Sequence, residues 1–572
     1  MTTTHTTRAL IVVTSLSLAF TALVGRLVQL HVLRHDELRL KAAANHGEVR
    51  KRQGRRGEIR DCHGNLLANS QSVRIVCADP SITISNAGVA AAKLSPLLNM
   101  DAATLRAKLT GPGKYVRLKQ KVDEETVQRI RSLKLKGIVY EDQYLRTYPH
   151  DSEASHYIGF VDADHKGVQG IEAAMNQYLE GVGGYEIIER DRKGREIRAL
   201  RTEGIEPRDG YHVVLTLDQV IQHIAEVELG KAITEFRPHA GVIIVSRPKT
   251  GEILAMGCWP TFNLNNAGAA PANARRNRCI SDVAEPGSTF KIVNISGALN
   301  DGTVRLSDTF QCESGAWLYA GRILHDAHPY GILTVEQILY KSSNIGAAKI
   351  AVKMGVGRLY EYIHRYGFGR KTGIGLPGEV SGIAHPLANW TKLSITRIPM
   401  GHEIAATPIQ MLMAMNAICN GGKLMKPLVV KRVVDGNGRV ILENQPQPIG
   451  QPIAPAASVL MTTALRKVPT PDGTAARAAV DGYDAAGKTG TAQKIEGGQY
   501  VRKYYSSFIG YLPANDPEIS ILVSLDNPSG GVYYGGSVAG PVFRRVAEKV
   551  VEYLGIPPQK PLTNSRQVAS AR

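Results

Sequence analysis

The sequence predicts an α+β protein: a five-stranded antiparallel sheet flanked by helices, with a helical subdomain inserted, preceded by a separate soluble region and one N-terminal transmembrane helix. Three observations carry this expectation. Strand-like stretches come first as a pair, at 241–245 and 252–256, and later as a trio, at 485–494, 506–512 and 519–525. Apolar residues at helical spacing precede the pair (Leu217, Val220, Ile221, Ile224, Val227) and follow the trio (Phe543, Val546, Ala547, Val550, Leu554). Residues 9–25 carry no charge at all, and apolar character resumes after Arg26.

A chain of 572 residues exceeds one ordinary domain and has room for two sizeable ones. Apolar residues make up 43% and charged residues 21%, a balance that excludes disordered, collagen-like and polytopic membrane proteins. The net charge of +18 suits an anionic polymer or surface, but no long Lys/Arg run interleaved with aromatics occurs, so nucleic acid is not an expected partner. A cleaved signal peptide would have a shorter apolar core followed by a small-x-small site, and neither is evident, so residues 1–33 read as a short tip and an uncleaved anchor, the tip being cytoplasmic only by the resemblance given below. Only Arg8 precedes the apolar stretch, whereas Arg26, Arg34, Lys41 and Arg50 follow it. The positive-inside rule alone would keep the bulk in the cytoplasm, although long domains translocate largely regardless of charge.

Residues 34–205 form the first soluble region. Within it, 55–68 reads as a strand pair around a Cys-His-Gly-Asn turn, 123–133 as a helix and 144–150 as an extended segment stopped by Pro149. Turn residues at 201–210 mark a boundary, and residues 206–556 make up the second domain. The tail at 557–572 is polar and contains proline, which predicts disorder. Six scattered cysteines show no metal-ligand spacing and imply no disulfide framework, although a single pair could bridge outside the cytoplasm. His325-x-x-His328 lacks a third ligand in view. No metal and no cofactor is expected.

Three short motifs appear in order in the second domain: Ser288-Thr289-Phe290-Lys291, then Ser342-Ser343-Asn344, then Lys488-Thr489-Gly490-Thr491. Each alone is weak, but the ordered set is specific. Pro286-Gly287 breaks the chain, so Ser288 starts a helix and Lys291 lies one turn on, on the same face. A lysine with an ordinary pKa of ~10.4 is a poor base at neutral pH; burial and a nearby cation would lower it, and Lys488 is the natural cation. The backbone N–H groups of Ser288 and Thr491 suit an oxyanion hole. Gly490 would let a substrate backbone approach closely, and the hydroxyls of Thr489 and Thr491 suit a substrate carboxylate. Ser342 would relay a proton to a leaving amine, and Asn344 would hold Lys291 and a substrate amide. Tyr533-Tyr534-Gly535-Gly536 would either line the cleft near the last strand or form a simple turn by its glycine pair.

Together the three motifs resemble the signature of penicillin-binding proteins and serine β-lactamases. Residues 55–61, 170–172, 216–218, 250–256, 276–292, 473–475, 486–494 and 533–543 are similar to class B penicillin-binding proteins, above all the division-specific septal peptidoglycan D,D-transpeptidases. The chain departs from them at Ser246–Gly251 and at Met400-Gly401-His402-Glu403-Ile404, where a Gly/Tyr-rich stretch would stand.

The resemblance implies a penicillin-binding transpeptidase fold on an elongated, non-catalytic pedestal of the dimerisation type, anchored in the inner membrane with the catalytic domain on the periplasmic side. It implies Ser288, Lys291, Ser342, Asn344 and Lys488 as catalytic residues, with Ser343, Thr489, Gly490, Thr491, Tyr533 and Gly535 among the substrate contacts. The implied substrates are peptidoglycan stem peptides ending in D-Ala-D-Ala, and the implied inhibitors are β-lactams. Implied partners are a membrane-embedded glycan polymerase and other division proteins. The alternatives are a β-lactam-hydrolysing enzyme or D,D-carboxypeptidase on the same fold, or a non-catalytic division scaffold.

Overall fold

A computed structural model describes residues 3–189 and 202–562, so that 563–572 of the tail expected to be disordered lie outside the described residues. The chain divides into two units, Met1–Arg55 with Gly181–Asp209 and Arg56–Glu180 with Gly210–Arg572.

The smaller unit contains helix α1 (Thr3–Val28), continued by one π turn over Gln29–Leu33. The apolar helical run Thr4–Leu33 spans 30 residues and is long enough to cross a membrane. It is longer than the uncharged stretch predicts because helix continues through Arg26, whose Nη1 donates to Gln29 Oε1 at 2.6 Å. The unit also holds a three-stranded antiparallel sheet of Gly47–Arg52, Gly184–Glu189 and Thr202–Ile205.

The larger unit opens with β1 (Ile59–Arg60) and β2 (Leu66–Ala78), the expected strand pair. Asp61 organises the turn between them: its carboxylate accepts from His63 N, Asn65 N and Asn65 Nδ2, and Gly64 takes a φ of +92°. Strands β3 (Val116–Val122) and β4 (Ile138–Thr147) flank β2, and the helix expected near 123–133 forms over Glu124–Ser132, N-capped by Asp123. Strand β5 (His212–Leu215) runs parallel to β1.

Next come α2 (Gln219–Phe236), the hairpin β6 (Ala240–Ser246) and β7 (Ile253–Trp259), and the helical subdomain with α3 (Lys291–Asn300), α4 (Asn344–Met354) and α5 (Pro408–Cys419). Strands β8 (Val430–Val434) and β9 (Val440–Glu443) return to β5, extending the β1–β4 sheet. The chain then forms β10 (Ala486–Glu496), β11 (Gln499–Leu512), β12 (Ile519–Asp526) and α6 (Gly535–Tyr553).

The predicted five-stranded sheet has the order β7-β6-β12-β11-β10, antiparallel throughout. Successive side chains point to opposite faces, and both faces are covered. Ile243, Val245, Phe508, Ile521 and Val523 pack with α2 and α6 through Ala225, Leu229, Val542, Phe543 and Val546. Val242, Ile244, Ile509, Tyr511 and Leu522 join the core of the helical subdomain, where α5 is buried along its entire length. Double coverage explains why β6 and β12 read as nearly continuous apolar runs. Strand β11 begins seven residues before the stretch predicted for it because Gly497 and Gly498, both at positive φ, close a hairpin whose outer part is polar.

Cys258 Sγ and Cys279 Sγ approach to 3.5 Å in the core, but all six cysteines are free. A buried ion triad ties the start of the larger unit to its residues 170–176. Glu172 Oε2 accepts from Arg56 Nε at 2.8 Å, and its Oε1 accepts from Arg146 Nε at 2.6 Å and from the Tyr148 hydroxyl at 3.2 Å. Neither the carboxylate nor either guanidinium is more than 4% exposed. Glu172→Gln leaves two desolvated cations without their anion, and should cost about 3–5 kcal/mol of stability, read as a lower midpoint in denaturant unfolding of the detergent-solubilised chain. A loss below about 1 kcal/mol would contradict this.

Candidate active site

Pro286 and Gly287 do break the chain, but the turn they start is 3₁₀ over Gly287–Phe290, and α3 begins only at Lys291. In a 3₁₀ turn residues i and i+3 eclipse, which sets Lys291 over Ser288 and leaves its Nζ 3.0 Å from Ser288 Oγ. The turn needs glycine: Gly287 has a φ of +57°, and a Cβ there would approach Ala492 of β10 to 3.1 Å.

Ser342 is held at a φ of +62°, a costly region for a residue with a side chain. Its Oγ lies 3.1 Å from Lys291 Nζ and 2.8 Å from Lys488 Nζ, and its carbonyl accepts from Lys291 at 2.5 Å. Asn344 opens α4; its Oδ1 accepts from Lys291 at 2.7 Å and its Nδ2 donates to the His325 carbonyl at 2.9 Å. The three motifs therefore share one pocket, linked as Ser288–Lys291–Ser342–Lys488.

Both amines are fully buried. Burial brings the Lys291 pKa down to about 7, against the opposing pull of Asp326. Lys488 lies well below the ordinary lysine range, by burial first and by Lys291 second. Burial is the first cause for both amines, and each disfavours the other's charge across the shared Ser342 hydroxyl.

Sequence reasoning passed over Asp326. It sits inside the His325–His328 stretch, whose histidines draw attention as metal ligands. Its carboxylate accepts from Ser343 Oγ at 2.6 Å, from Ile345 N at 3.0 Å and from Asn344 N, anchoring the positive end of α4. Helix α4 in turn presents Asn344.

Several residues expected to touch substrate also make contacts within the protein. Ser343 is 1% exposed; its hydroxyl caps α4 by accepting from Gly346 N and is turned to Asp326. Gly490 is small because the protein itself comes close: a Cβ would meet Ser507 Oγ at 2.5 Å, Thr289 Cγ2 at 2.9 Å and the Pro286 carbonyl at 3.0 Å. Gly535 is buried against the Gly490 and Ser507 carbonyls, each 2.3 Å from its would-be Cβ, while its N–H donates to Thr491 Oγ1 at 3.0 Å. Thr489 Oγ1 pairs with Thr474 Oγ1 at 2.9 Å. Tyr533 stacks between Tyr504, with centroids 3.9 Å apart, and Tyr534, at 4.7 Å, in an aromatic strip beside β11.

The departure at 400–404 also has a local account. A Cβ on Gly401 would lie 2.2 Å from the Gly287 carbonyl, so two glycines let this loop press on the Ser288 turn. His402 Nδ1 lies 2.8 Å from the Tyr500 hydroxyl, which itself donates to Glu285 Oε2 at 3.2 Å. Glu285 also accepts from Glu403 N at 2.9 Å. The tip of the β10–β11 hairpin is thereby tied to the residues just before Ser288.

Residues 241–548 match the family model for the penicillin-binding protein transpeptidase domain, and residues 51–215 match that for the penicillin-binding protein dimerisation domain. The chain is 31% identical to the probable peptidoglycan D,D-transpeptidase PenA of Neisseria meningitidis, over 96% of this chain and 94% of that one. It is likewise 31% identical to the peptidoglycan D,D-transpeptidase FtsI of Escherichia coli, over 96% and 92%. The stage V sporulation protein D of Bacillus subtilis is 33% identical over 88% and 79%. Among solved structures, penicillin-binding protein 3 of Mycobacterium tuberculosis in complex with ampicillin superposes with a TM-score of 0.70 at 26% identity, covering 89% of this chain and 97% of that one. A peptidoglycan synthetase of Bifidobacterium adolescentis gives a TM-score of 0.72 at 28% identity, covering 91% and 98%. With both domains matched in order, the chain belongs to the penicillin-binding protein transpeptidase family, in the class B type that carries a dimerisation domain before the transpeptidase domain.

Proposed function

We propose that this chain is a serine D,D-transpeptidase that cross-links peptidoglycan stem peptides in septal wall synthesis, and that Ser288 is its nucleophile. The observation that carries the proposal is the contact of a buried amine depressed to about pKa 7, that of Lys291, with the Ser288 hydroxyl at 3.0 Å. In its neutral form Lys291 takes the Ser288 proton as Oγ attacks the carbonyl between the two D-Ala residues of a donor stem. The backbone N–H groups of Ser288 and Thr491 receive the oxyanion. Ser342, bridged to both lysines, passes a proton to the departing D-Ala amine. The amine of a second stem then attacks the acyl-enzyme, returning Ser288 and leaving a peptide cross-link. Lys488, Thr489 and Thr491 receive the donor's terminal carboxylate, and the Tyr533 strip flanks the donor. β-Lactams acylate the same serine.

The chain's similarity to FtsI over nearly its full length supports the septal assignment. Helix α1 supports a single-pass anchor in the inner membrane, with residues 34–205 as a pedestal and 206–556 as a catalytic domain on the periplasmic side. A membrane-embedded glycan polymerase and other division proteins are the partners that suit such an enzyme.

Penicillin treatment followed by mass spectrometry should place one adduct on Ser288 and none on the Ser288→Ala variant; a normal adduct on the variant would refute the assignment. Because Lys291 must be neutral to act as a base, the second-order acylation rate constant should be maximal above pH 7. It should fall about tenfold per pH unit below that, measured with a chromogenic β-lactam from pH 5 to 9. Asp326 opposes the depression of Lys291. Asp326→Asn keeps acceptors for the Asn344 and Ile345 amides while removing the charge, so the acid limb of that profile should move to lower pH. A shift to higher pH would contradict the electrostatics described.

A further inference from the structure

Outside the catalytic set, the β1–β2 turn brings two soft donors against the start of α2. Cys62 Sγ lies 3.9 Å and His63 Nε2 3.0 Å from the same oxygen, Asp218 Oδ2, and the three donor atoms all fall within 4.8 Å of one another. We propose that Cys62, His63 and Asp218 bind a divalent cation of the zinc type. Zinc takes nitrogen at ~2.0–2.1 Å, carboxylate oxygen at ~2.0–2.2 Å and thiolate at ~2.3 Å, so tetrahedral ligands sit about 3.3–3.6 Å apart. The two observed separations bracket that spacing, and seating an ion requires only small movements of the side chains.

The surroundings fit a cation. Asp218 is 3% exposed and fixed as the N-cap of α2, with Oδ1 accepting from Val220 N at 2.9 Å and Ile221 N at 3.2 Å. That leaves Oδ2 for the cysteine and histidine, steadied by the Tyr553 hydroxyl from α6 at 3.2 Å, the kind of outer partner that orients a metal-ligating carboxylate. Asp61 adds negative charge from the turn itself, where Gln219 N also donates to it, and Lys431 is the cation that opposes. His63 is 58% exposed, which leaves the fourth position to water. Binding exchanges the Cys62 S–H bond for an S–metal bond and releases that proton to solvent. The bound ion would join the first turn of the dimerisation region to α2 and, through Tyr553, to α6.

The test is a Co²⁺ titration of the metal-stripped, tag-free full chain in detergent. One equivalent should bind with a thiolate-to-cobalt charge-transfer band and release of a proton, and equimolar Zn²⁺ should displace it. Cys62→Ser should abolish the band, and Tyr553→Phe should weaken binding by about tenfold. His63→Ala should weaken it more, while penicillin acylation of Ser288 stays unchanged in all three. As a readout independent of the variants, Zn²⁺ should slow alkylation of Cys62 in the wild-type chain. Absence of the band in the wild type, equal affinity in Cys62→Ser and His63→Ala, or alkylation indifferent to Zn²⁺ would each overturn the site.

Discussion

The chemistry of this protein depends on a lysine amine that, among the described residues, hydrogen-bonds to no carboxylate. Lys291 Nζ is surrounded by two hydroxyls, a carbonyl and an amide oxygen, all of them neutral. These partners orient the amine without stabilising its charge, and burial makes the charged form expensive. A salt bridge in the same place would hold the proton firmly. The anion that acts on it, Asp326, is occupied by the amides of α4 and the Ser343 hydroxyl.

That arrangement demands close approach of backbones around Ser288. Gly287, Gly401, Gly490 and Gly535 each occupy a place where a Cβ would strike neighbouring chain. Together they let the nucleophile's turn, the 400–404 loop, β10 and the start of α6 meet without side chains between them. Motif glycines of this kind shape the site by packing, and none needs to touch substrate.

Much of this was legible in the linear chain. The pair-and-trio strand order, the closing helix and the three motifs depend on local periodicity and fixed spacing, and both survive in sequence. The 3₁₀ turn at Ser288 was less visible because helix types differ in hydrogen bonding more than in composition. Asp326 is not legible because its partners, two backbone amides and the Ser343 hydroxyl, lie on a later helix and leave no mark on the residues around it. Gly490 and Gly535 show the same limit: a glycine signals closeness but does not say to what, and here the protein's own atoms come close. The depression of both lysines follows from burial, a property that emerges only when the core has closed over them.

The hairpin of β10 and β11 has a consequence for how this enzyme can change. Lys488 faces the pocket on the same strand that, beyond Gly490, runs outward to the tip where Tyr500 meets Glu285. Side chains alternate along that strand, so a single inserted residue before Lys488 would swap its parity and swing the amine to the wrong face. Between the start of β10 and Lys488 the strand therefore accepts only even steps unless a bulge absorbs the extra residue, whereas length changes beyond Lys488 leave the face of its amine unchanged.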